Sequence, residues 1–396
     1  MLNGGGGLNP DGLSLDLQFA ADKTLTARKG PTPVFTRGST GTFVGSDGLI
    51  QTAAVNAARF DHDPVTLASR GLLIEESRTN LILQSDNFAS ASWTKTSSTI
   101  SSNIATAPDG SGNADKLITD SGATQGRVTQ TFTLTGSHVY SVFAKAGEWG
   151  WLSIFPLSAT GGVWFNLTNG TIGTQQSGFV GSITSFGDGW YRCAVQCTGI
   201  GTSGTTARII STNANGVQST GDGTSGIFIW GAQIEAGSFA TSYIPTTTGS
   251  VVRSADVCSI TSSTLWNASG GTLLSKTIIP TGGFDCYPAN WINFFGHRRT
   301  SSNTLSAIIR GGGTFDLSLG TFVSGSLRVA CTHGGNLISA VANGGSVSSI
   351  SGTLVLNPTV LGIGYSGSGA PINGPVDSIR YYRKRLSNAK LQALTA

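Results

Sequence analysis

The chain has 396 residues, of which 56 are glycine, 11% are charged and 8% are aromatic. That length exceeds one ordinary hydrophobic core and points to two or three domains, and the aromatic, Val and Ile content excludes a disordered Gly/Ser chain. The formal charge of +4 is uneven: residues 1–85 hold seven Lys/Arg against eight Asp/Glu, 86–250 six against eight, and 251–396 eleven against four.

Gly, Asn and Asp supply the positive φ of tight turns, and Thr, Val, Ile and aromatics fill pleated faces, so the composition points to an all-β chain. Residues 1–85 open on a glycine tether, Met1-Leu-Asn-Gly-Gly-Gly-Gly-Leu8, with neither the basic nor the apolar region of a secretory signal. A period-two strand follows at Leu13-Ser-Leu-Asp-Leu-Gln-Phe19, then a hairpin turning at Ser46-Asp47-Gly48. This stretch is small and irregular and is expected to fold against its neighbours. From 86 to 250 strands recur at 127–134, 139–146, 149–155, 162–167, 178–184, 190–198, 207–212 and 227–234, with Asn169-Gly170 and Asp188-Gly189 as turns. That spacing predicts a β-sandwich of jelly-roll type. A second series covers 272–279, 291–296, 304–309, 314–319, 326–331, 337–342, 359–365 and 376–382, predicting another antiparallel sandwich over 251–396. Helical pattern is confined to 388–395, capped by Ser387, with Leu386 and Leu391 as a hydrophobic staple. No run of 18 apolar residues occurs, so no membrane-spanning helix is expected.

The chemistry of catalysis is sparse. Three G-x-G-x-x-G matches, beginning at Gly199, Gly221 and Gly362, lead into strands or turns where a dinucleotide site needs a helix N-terminus. The chain has four glutamates, Glu75, Glu76, Glu148 and Glu235, and residues 251–396 have none, whereas a glycan hydrolase needs two carboxylates flanking one bond. His62, His138, His297 and His333 are isolated, so no metal, cofactor or catalytic set is expected. Asp61-His62-Asp63-Pro64 is the one compact acidic cluster; its oxygens could contribute to a calcium site, but it reads first as a turn nucleated by Asp before Pro. Five cysteines form no disulfide framework; a strand holds Cys193 and Cys197 about 13 Å apart, so all five read as reduced, buried small hydrophobes. The basic run Arg380-Tyr-Tyr-Arg383-Lys384-Arg385, with Arg298-Arg299 as a second pair, reads first as a solvated strand end and second as a patch that could meet anionic polysaccharide or phosphate groups; no nucleic-acid motif accompanies it.

Aromatic side chains remain as candidates for ligand contact. Trp149, Trp151 and Phe155 alternate and are expected on one strand face, where flat rings can meet the C–H faces of sugars; the same pattern also fits core or subunit interface. In the last third, Trp291, His297, Arg298 and Tyr365 fall near expected strand ends, where sandwich loops form pockets.

Several short signatures occur in order: Phe35-Thr-Arg-Gly-Ser-Thr-Gly-Thr-Phe43, Asp47-Gly-Leu-Ile-Gln-Thr52, Arg59-Phe-Asp-His-Asp-Pro-Val-Thr66 and Gly71-Leu-Leu-Ile-Glu-Glu-Ser-Arg-Thr-Asn-Leu81. They resemble the N-terminal module of tailed-phage head-spike or tail-fibre proteins. Gly189-Trp-Tyr-Arg192 and the stretch from Gly231 to Thr246 resemble the jelly-roll carbohydrate-binding-like module that follows it, and Val376 to Ser387 is similar to the end of concanavalin-A-like or laminin-G-like phage domains. The resemblance implies a virion-anchoring module at 1–85 that contacts other virion proteins, outward sandwich domains, homotrimers at the virion surface and adsorption to bacterial surface polysaccharide. It fixes no sugar-binding residue, and the acidic catalytic motif of related glucanases is missing. A purely structural collar or decoration subunit and a capsule depolymerase are the two other classes the sequence leaves open.

Overall fold

The computed structural model describes residues 12–156, 161–200, 205–279, 289–291, 295–300, 302–310, 314–351, 358–365 and 371–396. The glycine tether, Asp285 and Cys286 lie outside the described residues.

The chain is all-β and forms two antiparallel sandwiches. The middle one packs a six-stranded sheet, in the order Phe179–Ser185, Trp190–Ile200, Gly136–Ala146, Gly226–Ala236, Ala114–Thr119 and Ser98–Ala105, on a second six-stranded sheet. The second runs Thr171–Gln175, Val163–Asn166, Trp151–Phe155, Thr205–Thr212, Arg127–Phe132 and Thr94–Thr96. Alternation sends Val142, Val195 and Ile229 from one sheet and Leu152, Phe165 and Ile209 from the other into a shared core, as the period of two requires. Asp188 and Gly189, both at positive φ, turn the chain between Phe179–Ser185 and Trp190–Ile200.

The first segment does not stand alone. Leu13–Leu17 and Ser69–Ile74 both pair with the last strand, Gly374–Tyr382, inside an eight-stranded sheet, and Val34–Thr36 pairs with Val257–Thr261 in the facing seven-stranded sheet. Leu15 and Leu72 from the first segment therefore share one core with Leu273, Val329 and Ile379. Gly71 permits the junction: it sits at φ +102°, and a Cβ there would lie 2.2 Å from the Val376 carbonyl oxygen.

The middle sandwich is thus an insertion within a sandwich built from both ends of the chain. Its entry and exit, Arg78–Asn80 and Val251–Arg253, pair antiparallel as a two-stranded neck. Asn80 is fully buried and uses its whole amide: Nδ2 donates to the Ala232 and Ile244 carbonyls at 3.1 and 2.8 Å, and Oδ1 accepts from Ile82 and Ile234 N, both at 3.1 Å. Beside the neck lies a buried ionic cluster. Glu75 Oε2 meets Arg59 at 2.8 Å and Arg253 at 3.0 Å, Asp256 meets Arg37 at 3.1 Å and also Arg59, and the Glu75 N–H donates to Asp256 at 2.8 Å. Ser242, from the middle segment, donates to Glu75 through both N and Oγ at 2.7 Å. Burial pushes the Glu75 carboxyl up, but Arg253, Arg59 and Ser242 overcome it and hold the group down at about 2.

The helix Asn388–Thr395 forms, with Ser387 accepting from Lys390 N and with Leu386 and Leu391 in one apolar cluster. The stretch 291–296, read as one strand, supplies the ends of two antiparallel strands, Ala289–Trp291 and Phe295–Arg299, paired Trp291 to Phe295. The run Trp-Ile-Asn-Phe-Phe carries no Gly or Pro to announce that reversal. Asp63 does nucleate a turn, its Oδ1 accepting from Val65 and Thr66 N at 2.9 and 2.8 Å. Cys193, Cys197, Cys258 and Cys331 are buried and unbridged, and burial pushes their thiols up. No helix among the described residues is long and apolar enough to cross a membrane.

Candidate functional site

The second sheet of the middle sandwich turns one face to the core and the other outward. Register fixes the outward rows. Asn166, Trp151 and Thr212 lie side by side; Trp164, Ser153, Ile210, Arg127 and Thr96 form the next row; Phe155, Arg208, Thr129 and Thr94 form a third. Trp151 and Phe155 are half-buried, so part of each ring reaches solvent. Phe155 meets Trp164 edge-on, with centroids 5.2 Å apart and planes at 79°. Two glycines make room for these rings: a Cβ on Gly173 would lie 2.6 Å from Trp151, and one on Gly162 2.8 Å from Phe155. The Trp164 indole N–H is buried and finds no acceptor among the described residues. Burial, and then the charge of Arg127, lower the pKa of Arg208.

The residues singled out from sequence scatter. Trp149 is a correction: it stands outside the strand, which begins at Trp151, and is 7% exposed in the core with Leu152 and Ile154. A turn closed by Gly147 N donating to the Trp149 carbonyl at 3.1 Å breaks the alternation between 149 and 151 and sends the two rings to opposite sides. His297 is also corrected. It is fully buried with its Nδ1 2.9 Å from Ser275 Oγ, and burial holds its ring down at about 3, so it presents nothing to a ligand. Arg298 lies on the opposite face of the same strand, bonded to Asp316 at 2.6 Å. Tyr365 is half-buried just beyond Val360–Ile363, and the Trp291 side chain lies outside the described residues. The structure does not gather these four into a pocket. Trp164, Arg127 and Arg208 were missed, although Trp164 and Asn166 alternate within 162–167 as visibly as Trp151 and Phe155 do.

No family model matches the chain, and no curated protein matches it. Among solved structures, the CBM40 of a Ruminococcus gnavus IT-sialidase is similar at 18% identity and a TM-score of 0.29, over 33% of this chain and 84% of that one. Mouse laminin alpha1 chain domains LG4-5 are similar at 9% identity and a TM-score of 0.24, over 68% of this chain and 90% of that one. A Trypanosoma rangeli sialidase in complex with the inhibitor DANA gives 10% identity and a TM-score of 0.30, over 72% and 60%.

A concavity of about 450 Å³ lies between the sandwiches and is lined by Asp61, Arg70, Glu75, Phe186, Arg192 and Phe239 among others. Burial raises the Asp61 carboxyl to about 6 while Glu75 stays near 2, a split of the kind acid–base pairs use. Glu75 is committed, however: Arg59, Arg253 and Ser242 occupy both of its oxygens. Asp61 Oδ1 accepts from Val44 N at 2.9 Å and its other oxygen lies 4.0 Å from Arg70. Glu75 ties the first segment to Ser242 of the middle one, while Asp61 is bonded within the first segment.

Proposed function

We propose that this chain is a non-catalytic subunit of a tailed-phage virion appendage that binds bacterial surface polysaccharide through the outward face of the middle sandwich. The observation that carries the glycan reading is the pair of half-buried rings, Trp151 and Phe155, on one face of the same strand, with room left by Gly173 and Gly162 and with Trp164 edge-on to Phe155. Flat apolar rings suit the C–H faces of a sugar. The virion assignment is supported by the ordered N-terminal signatures. In this reading the sandwich built from both chain ends contacts other virion proteins, the inserted sandwich projects, and homotrimers at the virion surface multiply weak single-site binding.

The test compares intact protein and the Trp151→Ala/Phe155→Ala variant for binding to host cells and to purified surface polysaccharide. Host-dependent binding that drops at least tenfold in a variant with an unchanged circular dichroism spectrum supports the reading. Undiminished binding by that variant removes this face from the site, and absence of binding by the intact protein removes the glycan reading. Light scattering at micromolar concentration checks the trimer separately.

A further inference from the structure

Trp151 has polar neighbours whose hydrogen-bonding capacity is only half used. Its row on the sheet is Asn166, Trp151 and Thr212, and no member of that row is charged. Asn166 Oδ1 accepts from Thr168 N at 2.9 Å and from Asn169 N at 3.3 Å, which orients the amide with its oxygen toward the turn and its NH2 away from it. Asn215, in the turn after Thr205–Thr212, repeats the arrangement at longer range. Its Oδ1 accepts from Thr174 N at 2.7 Å, on the strand Thr171–Gln175, which two other strands separate from Thr205–Thr212. Gly173 locates this amide against the ring: a Cβ there would press on Trp151 and on the Asn215 amide together. With both amide oxygens committed to backbone N–H groups, neither NH2 has an acceptor among the described residues. The buried indole N–H of Trp164, two residues before Asn166 on the same strand face, is also without one. Uncharged donors therefore stand beside a half-buried aromatic ring.

Such donors discriminate among the oxygens of a sugar. A hydroxyl that accepts a hydrogen bond still has its own proton to place, whereas an acetamido carbonyl has two lone pairs and no proton. The acetamido methyl is an apolar group suited to a ring face. A carboxylate or phosphate would accept as well, but the Trp151 row supplies no cation to offset the dehydration of an anion.

We propose that the Trp151 site selects N-acetylated amino sugars, with the ring taking C–H groups and the acetamido methyl while Asn166 and Asn215 donate from their NH2 groups to acetamido oxygens. The proposal rests on the glycan reading above and narrows it to acetamido-bearing polymers. Trp151 supplies affinity for sugar in general, and the two amides determine which sugar is preferred.

The experiment immobilises bacterial surface polysaccharides of known composition: neutral polymers without amino sugars, and N-acetylated polymers that are also presented de-N-acetylated and then re-N-acetylated. Intact protein, Asn166→Asp, Asn215→Asp and Trp151→Ala are compared, with circular dichroism as the check on folding. Aspartate keeps the oxygen that accepts from the backbone and replaces only the NH2. The expected preference of the intact protein for an N-acetylated polymer over its de-N-acetylated form and over the neutral polymers is about tenfold, the worth of one hydrogen bond. Re-N-acetylation restores it. In each aspartate variant the ratio of binding with and without acetamido groups falls toward one, and Trp151→Ala lowers binding to every polymer. Equal or stronger binding of polymers without acetamido groups by the intact protein overturns the N-acetyl proposal and leaves the glycan reading standing. A preference kept in full by both aspartate variants overturns the role of the two amides, and binding to no member of the panel overturns the glycan reading beneath it.

Discussion

Replacing Glu75 by Gln tests how the two sandwiches are joined. The cluster around the neck holds three arginines, Arg37, Arg59 and Arg253, against Glu75 and Asp256, and the substitution leaves three buried cations facing one anion. At separations of 2.8 and 3.0 Å each Arg contact of Glu75 amounts to roughly 5–6 kcal/mol at an effective dielectric of about 20, most of it offset by the dehydration of the charges. Breaking one partner out of a buried pair costs about 3–5 kcal/mol. The titration of Glu75 leads to a similar figure: a carboxyl held at about 2 instead of 4.5 corresponds to about 3 kcal/mol. Urea unfolding followed by tryptophan fluorescence should therefore show Glu75→Gln losing about 3 kcal/mol at pH 7, a midpoint shift on the order of 1 M. Because the folded-state pKa lies below the unfolded one, this stabilisation is full above about 4.5 and is lost as the pH falls toward 2. The two proteins should converge in acid. A loss smaller than about 1 kcal/mol at pH 7, or a gap that persists unchanged at pH 2, would falsify the account of the neck.

Three further outcomes are expected. Gly71→Ala should cost more than about 2 kcal/mol in calorimetry, since φ is +102° and the new Cβ meets the Val376 carbonyl; a neutral substitution means the first segment is not held as described. Asp61→Asn should raise the melting temperature at pH 7.5 and leave it unchanged near pH 4. Burial lifts the Asp61 carboxyl from 3.8 to about 6, so its ionisation opposes folding above that window and is relieved as the pH falls through it; a variant that melts lower at pH 7.5 contradicts this. Trp149→Ala should lose about 3–5 kcal/mol of stability, and Trp151→Ala should lose glycan binding with a much smaller stability change; equal melting curves for the two contradict their opposite orientations.

Legibility from sequence followed the range of the interactions. Most strands, the Asp188-Gly189 turn, the Asp63 turn and the Ser387-capped helix depend on residues within a few positions of one another and were readable, whereas the polar strands Ser98–Ala105, Ala114–Thr119 and Thr171–Gln175 were not read and 291–296 was read as one strand. The candidate face was half readable. Trp151 and Phe155 follow from alternation, but Trp149 was misplaced because one turn between 147 and 149 breaks the period and leaves no mark in composition. His297 looked available as a strand-end residue, and only the packing of the facing sheet reveals that Ser275 takes its ring nitrogen within the core.

By itself the sequence determined an all-β chain with regular sandwich spacing, few carboxylates and rings on alternating strand positions, because propensity, turn chemistry and period are local properties. Tertiary structure alone decided that Leu13–Leu17 and Ser69–Ile74 pair with Gly374–Tyr382, that the middle sandwich is inserted through a paired neck, and that Trp149 packs in the core while Trp151 faces outward. Strand pairing is set by which edges remain open once each hydrophobic face is buried, and that choice joins residues more than 300 positions apart for which no local pattern exists.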